Sequence, residues 1–192
     1  MLDKSVRYSG LYMLRKAGAP LVSFPLPEGF RFSFYKDGDE ISWARVETSV
    51  LEFESEFAAL MHFNEKFMPH ADELRSRCLF IENNEGEKVA TSMAWWNYVD
   101  GNRRAWLHWV AALPQYQGLG LGKAIVSRVI DLIVELEGDV DVFLSTQTWS
   151  YKAIGIYIAH GFEPTAEKAL YKDRRSNYKK SMRILRKLGI KC

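Results

Sequence analysis

Apolar positions along the chain recur with two periods, one of strands and one of helices. Phe30-Arg-Phe-Ser-Phe-Tyr35 alternates apolar and polar residues and predicts a strand. Asp37-Gly38-Asp39 ends it and caps a helix to about Val50, with Ile41, Trp43, Ala44, Val46 and Val50 as its apolar positions. Ser55 opens a second helix that runs to about Phe67 and is closed by Pro69. Strands follow at Arg77 to Glu82 and Glu87 to Tyr98, joined by a turn at Asn83 to Gly86. Val99-Asp100-Gly101-Asn102 predicts a hairpin turn, because Asp-Gly supplies the positive φ angles that such turns need. The next strand is the apolar run AWLHWVAAL, from Ala105 to Leu113. Beyond a short loop, Ala124, Ile125, Val129, Ile130, Leu132, Ile133 and Leu136 repeat with a period near 3.6 and predict a helix. Gly138-Asp139 breaks it before a strand at Val140 to Leu144, and a helix begins near Tyr151.

The ends are less regular. Residues 1–29 are punctuated by Gly18-Ala-Pro20 and by Phe24 to Gly29, with Leu11 to Lys16 as a short turn or strand, and we expect an N-terminal extension there. At the other end, Phe162 to Pro164 predicts a short strand. Lys180 to Arg186 fits a strand with Met182 and Ile184 inward. It also fits a basic amphipathic helix with Tyr178, Met182, Leu185 and Leu188 on one face.

At 192 residues the chain suits one domain with a sizeable core. No apolar run approaches the ~20 residues of a membrane span. The first residues, with an acid at Asp3 and no clean apolar segment before a small-residue cleavage site, read as a poor secretion signal. Cys78 and Cys192 lack metal-ligand spacing, so no metal and a reducing cytoplasm are expected. The net charge of +2 hides an asymmetry: Lys168 to Cys192 holds ten Lys or Arg and one acid, which leaves residues 1–167 at −7. An acidic body favours cationic acceptors. The basic segment has no aromatic stacking platform beside it, so nucleic acid is not expected as a partner.

The candidate chemistry lies between the AWLHWVAAL strand and the helix after it. There Gln117-Gly118-Leu119-Gly120-Leu121-Gly122-Lys123 joins a strand to a helix N-terminus, a local arrangement that offers unpaired backbone N–H groups to an anion. A Walker loop would need glycine where Gln117 stands and Ser or Thr where Ala124 stands, and the Rossmann spacing fails from either Gly118 or Gly120.

What remains, Gln117-x-x-Gly120-x-Gly122, resembles the coenzyme A loop of the GNAT superfamily of acyl-CoA-dependent N-acetyltransferases. A second stretch strengthens the resemblance: Ser150, Ala153, Tyr157, Gly161 and Phe162 match that family's second motif in order and separation, with Ser150 where Asn is common. The resemblance covers roughly Leu79 to Phe162. It implies a single α/β (α+β) domain, residues 30–192, with a mixed, mostly antiparallel sheet flanked by helices and two splayed central strands. The basic segment 168–192 would supply a final strand. It also implies acetyl transfer from acetyl-CoA to a primary amine of a small molecule or peptide, by direct attack in a ternary complex. Other readings are a different acyl-CoA, or a non-catalytic CoA-binding module docking through its basic tail. No membrane partner is implied. Many members of that family are dimers, which leaves a homodimer open.

Residue by residue, the resemblance gives Val110, Ala111 and Ala112 to the pantetheine strand, with the Val110 N–H polarising the acetyl carbonyl. Gln117, Gly118, Leu119, Gly120, Leu121, Gly122 and Lys123 form the pyrophosphate loop, and Ser150 and Ala153 also face the coenzyme. Tyr157 stands where many members place the general acid. His108 resembles a histidine of the arylalkylamine N-acetyltransferases and is the candidate base, because several other groups have Glu where Trp106 stands here. Glu47, Glu52, Glu54 and Glu56 could bind an ammonium or serve as a relay base, though their spacing selects none of them.

Overall fold

The computed structural model describes residues 2–172 and 177–190. Its strands are β1 (Gly10–Arg15), β2 (Phe30–Phe34), β3 (Cys78–Asn83), β4 (Lys88–Val99), β5 (Asn102–Ala112), β6 (Val142–Gln147) and β7 (Glu163–Pro164). Its helices are α1 (Glu40–Ser49), α2 (Glu56–Lys66), α3 (Ala71–Arg77), α4 (Leu121–Glu137), α5 (Tyr151–Ala159) and α6 (Tyr178–Lys187). The strands form one sheet in the order β2-β3-β4-β5-β6-β1-β7, antiparallel except for β5 beside β6.

Strand alternation sorts side chains between two helical layers. On β3, Leu79 and Ile81 enter the cluster that holds the α4 residues Ile125, Val129 and Ile133. Cys78 and Phe80 enter the opposite cluster, with Trp43 of α1, Phe63 of α2 and Leu74 of α3. The helices therefore cover both faces of the sheet. Ser55 caps α2 by accepting the Ala58 N–H at 3.2 Å, as its position before the apolar run predicts.

Three expectations need correction. First, residues 1–29 are not an appendage. Gly10–Arg15 pairs antiparallel along the whole of β6 and also with β7, so it is an interior strand of the sheet. Second, the segment Lys180 to Arg186 is helical within α6. Asn177 caps it by accepting the Lys180 N–H at 2.9 Å, Met182 and Leu185 are buried, and the Ser181 hydroxyl donates to the Gly10 carbonyl at 2.8 Å. Third, β6 starts at Val142 rather than Val140 and extends to Gln147, and α3 lies in a stretch for which no element was predicted. Cys78 is a buried free thiol, while Cys192 and part of the basic segment lie outside the described residues.

Candidate active site

β5 and β6 are paired only where Ala105 faces Val142 and Trp106 faces Phe143. Beyond these pairs β5 continues to Ala112 and β6 to Gln147 without bonding to each other, which opens a gap between parallel strands. A bulge on the other edge of β5 adds to the distortion. Thr91 faces Ala111 and Met93 faces His108, so Trp109 and Val110 together oppose Ser92. Trp109 takes φ +52°, a left-handed conformation uncommon for a bulky residue. Regular strand alternation, which would put His108 and Val110 on one face, is therefore interrupted, although both still border the same cavity.

Two cavities meet in the gap. The first, about 240 Å³, is lined by Val110, Ala111, Ala112, Gln117, Gly118, Leu121, Gly122, Ser150 and Ala153, together with Leu2, Val50, Glu52, Tyr116, Lys152 and Ile156. Of the residues expected at the coenzyme, Leu119, Gly120 and Lys123 do not line it. Leu119 is exposed, Gly120 is the φ +91° residue that starts α4, and the Lys123 ammonium lies 4.8 Å from the Phe24 ring. Among the described residues, no protein acceptor takes the backbone N–H groups of Gly118 to Gly122. A Cβ at Gly122 would come within 3.0 Å of Ile156 Cδ1, so only glycine leaves that wall undisturbed. A loop with free donors at the positive end of a long helix, beside a slender cavity with Lys152 on its wall, suits the phosphates and pantetheine arm of coenzyme A.

The second cavity, about 190 Å³, is lined by Glu47, Glu52, Leu107, His108, Trp109, Val110, Ser145, Thr146, Gln147, Ser150, Ala153 and Tyr157. Glu52, Val110, Ser150 and Ala153 border both cavities and mark where they join. Tyr157 and His108 are thus brought to one space. Burial raises the Tyr157 phenol above its ordinary range, with the Glu52 and Glu47 charges adding to the effect. Burial also holds His108 down at about 4, helped by His62, and His108 Nε2 has no hydrogen-bond partner among the described residues. The imidazole is accordingly neutral over most of the working pH range. His160 follows the last residue of α5. It is buried, with Nδ1 at 2.7 Å from the Ile156 carbonyl, and burial lowers its pKa.

Sequence reasoning could not select between the acids of the first two helices. The structure brings two of them into the cavity. Glu47, on the inner face of α1, is 1% exposed, and its Oε1 has no hydrogen-bond partner among the described residues. Burial pushes its carboxyl well above the usual range, and the nearby Glu52 charge pushes it further. Glu52 follows Leu51, whose φ of +71° turns the chain at the end of α1, and its N–H bonds the Glu47 carbonyl at 3.2 Å. Its Oε1 accepts from Gln147 Nε2 at 3.0 Å, a bond that opposes the rise that burial produces in its pKa. Trp109 is the tryptophan of the cavity wall, stacked on Phe53 at 5.5 Å. The other tryptophans are packing residues, as Trp43 and Trp106 illustrate in the core. Among the described residues no group of His, Cys, Asp and Glu could hold a metal ion, and no helix is long and apolar enough to cross a membrane.

No curated protein matches the chain. A crystal structure of a GCN5-related N-acetyltransferase from Sphaerobacter thermophilus aligns over 83% of this chain and 49% of its own, with 20% identity and a TM-score of 0.61. A tandem GNAT protein from the clavulanic acid biosynthesis pathway aligns over 85% and 52%, with 16% identity and a TM-score of 0.61. An acetyltransferase of the GNAT family from Colwellia psychrerythraea aligns over 83% and 53%, with 11% identity and a TM-score of 0.58. The chain thus spans about half the length of these structures, and at such identities they speak for the fold alone. The family model described as the acetyltransferase (GNAT) family matches residues 39–162, from the start of α1 to the residue after Gly161, and the chain belongs to that family.

Proposed function

We propose that the chain transfers the acetyl group of acetyl-CoA to a primary amine, by direct attack with both substrates bound and without a covalent enzyme intermediate. The observation that carries this reading is the pair of joined cavities in the β5–β6 gap, with the free-donor loop on one side and Tyr157, His108 and two carboxylates on the other. When bound, acetyl-CoA supplies the activated thioester. The N–H groups of Gly118 to Gly122 and the α4 N-terminus hold the pyrophosphate, with Lys152 as a further cation.

At the junction, the Val110 N–H polarises the thioester carbonyl, and one such donor is typically worth ~10²–10³ in rate. Glu52 lies at the same junction, with a carboxyl raised by burial, and His108 is neutral; either can take the proton that the ammonium must lose before the nitrogen attacks. Tyr157, held protonated by its buried position, donates to the departing thiolate. The net change is an ammonium and a thioester becoming an amide, a thiol and a released proton. The buried thiol of Cys78 suits a reducing compartment such as the cytoplasm.

Calorimetric titration with acetyl-CoA, and with CoA and ATP as comparators, tests the first half of the reading. Thiol release across a panel of amines tests the second. Binding of acetyl-CoA without ATP, followed by amine-dependent thiol release, is the expected result. No acetyl-CoA binding would remove the coenzyme site and the reaction with it.

A further inference from the structure

The second cavity is not symmetric about the junction. The reacting nitrogen must reach the place where the two cavities join, because the thioester arrives through the first. Glu52 is at that junction, whereas Glu47 borders the second cavity only. Glu47 is enclosed, and its Oε1 is buried without a donor among the described residues. A buried carboxylate oxygen without a partner is costly, and the cost is relieved by a ligand that brings a positive charge to it. Among the described residues no Lys or Arg lines this cavity, and the Lys4 ammonium, whose charge acts on Glu52, lies over the Trp149 ring at 5.6 Å. Trp109 adds an aromatic surface of the kind that attracts cations.

We infer that Glu47 is the anchor for a second positive charge on the acceptor, so that the acceptor is a small primary amine with a distal cationic group rather than an amino acid or another carboxylate-bearing amine. The inference rests on the acetyl-transfer reading for the position of the reacting nitrogen. The distal ammonium pairs with Glu47 in the closed part of the cavity, and the other nitrogen stands beside Glu52 and the Val110 N–H. An acceptor with a distal carboxylate would face Glu47 across a buried, uncompensated gap. The cavity of about 190 Å³ is below the ~300–1,000 Å³ usual for drug-sized ligands, which restricts the acceptor to a short chain.

The test is a four-carbon series: 1,4-diaminobutane, 1-aminobutane and 4-aminobutanoate, which share a carbon count and differ in the distal group. Thiol release should rank them in that order by kcat/KM, with the diamine about tenfold or more above the monoamine. In Glu47→Gln the ratio between diamine and monoamine should fall toward one, chiefly through KM for the diamine. Equal use of the diamine and monoamine by the wild type, better use of 4-aminobutanoate, or a ratio unchanged in the variant would each overturn the inference. If none of the three is acetylated, calorimetric titration with 1,4-diaminobutane decides: binding lost in Glu47→Gln supports the anchor, and absence of binding, or binding equal in the variant, overturns it. Acetyl-CoA titration is scored separately, so failure of the coenzyme site and failure of the anchor are distinguishable. Folding of the variant is checked by its thermal melt. Glu52→Gln is a second variant that should lower kcat for all acetylated amines; unchanged kcat for every amine would remove the orientation in which the distal charge falls on Glu47.

Discussion

Replacing Glu47 by Gln should stabilise the protein at neutral and alkaline pH while weakening its function, and the sign follows from where the carboxyl sits. Glu47 is 1% exposed, with Oε1 unpartnered and the Glu52 charge close by, so the folded protein resists its ionisation. Burial and Glu52 are the causes acting on Glu47 itself; on the same cavity His108 is neutral above about 4, burial keeps the Tyr157 phenol protonated, and the Lys4 ammonium acts on Glu52. In the unfolded chain the same carboxyl titrates near its ordinary value of 4.5. Below that value both states are protonated and the group costs nothing. Above it the unfolded state releases a proton that the folded state retains, so stability falls with rising pH until the raised folded pKa is passed, and then levels off. Each unit of separation between the two pKa values is worth about 1.4 kcal/mol. For a domain of this size 1 kcal/mol moves the melting temperature by roughly 2–4 °C, so each unit corresponds to about 3–6 °C. The amide keeps the shape and cannot ionise. Thermal melts followed by circular dichroism at pH 4 and pH 8 should show nearly equal Tm for the two proteins at pH 4 and a higher Tm for the variant at pH 8. A variant less stable than wild type at both values would mean that the carboxylate has a partner in the folded protein, and the argument for a ligand charge at Glu47 would lose its base.

Four further outcomes follow from the same geometry. Tyr157→Phe should lower kcat severely with little change in acetyl-CoA affinity by calorimetry, and full turnover would remove Tyr157 from the mechanism. His108→Gln should leave the pH–rate profile unchanged above about pH 5, because burial places His108 at about 4; loss of a limb near pH 6.5 would show an imidazole with its ordinary pKa. Gly120→Ala should weaken acetyl-CoA binding, since φ +91° at the start of α4 costs an L-residue roughly 1–2 kcal/mol and shifts the donors next to it; affinity equal to wild type would show that the loop amides do not hold the phosphates. Ser181→Ala should lower stability by about 1 kcal/mol, the usual net worth of a hydrogen bond such as the one from Ser181 to the Gly10 carbonyl, and an unchanged Tm would show that α6 docks through Met182 and Leu185 alone.

The parts of the fold that sequence revealed are those with local causes. The period of 3.6 in α4, the Ser55 cap and the Asp100-Gly101 turn each depend on residues a few positions apart, and each is present. The course of Gly10–Arg15 depends on partners more than 120 positions away in β6, and six residues of mixed pattern do not announce that. The choice between strand and helix at Lys180 was open because both periods place Met182 inward; the Asn177 cap and the burial of Leu185 beside Met182 settle it. At the site, the glycine loop and Tyr157 were legible because they carry spacing. Glu47 and Glu52 were not, because their convergence is produced by the left-handed turn at Leu51, and their meeting with His108 involves the bulge at Trp109. Neither Leu nor Trp is a residue that signals positive φ, so no pattern of residue types could have shown it.

The same distant pairing accounts for how the gap is held open. A strand that leaves its parallel neighbour loses hydrogen bonds along that edge, and an interior strand with two unpaired edges would not remain extended. β6 leaves β5 after Phe143, yet its other edge is bonded to β1 from Val142 through Gln147. Thr148, just beyond it, is tied to the same N-terminal segment, since its N–H bonds the Ser9 carbonyl at 3.0 Å and its hydroxyl bonds the Arg7 carbonyl at 2.6 Å. Further toward the terminus, adjacent residues reach opposite banks of the cleft: the Leu2 N–H bonds the Val50 carbonyl at 3.2 Å and the Asp3 N–H bonds the Trp149 carbonyl at 3.0 Å. The stretch before β2 therefore braces β6 along one edge and spans the cleft beside the first cavity, whose wall includes Leu2. Residues that carry no motif of their own hold apart the two strands on which the motif residues act.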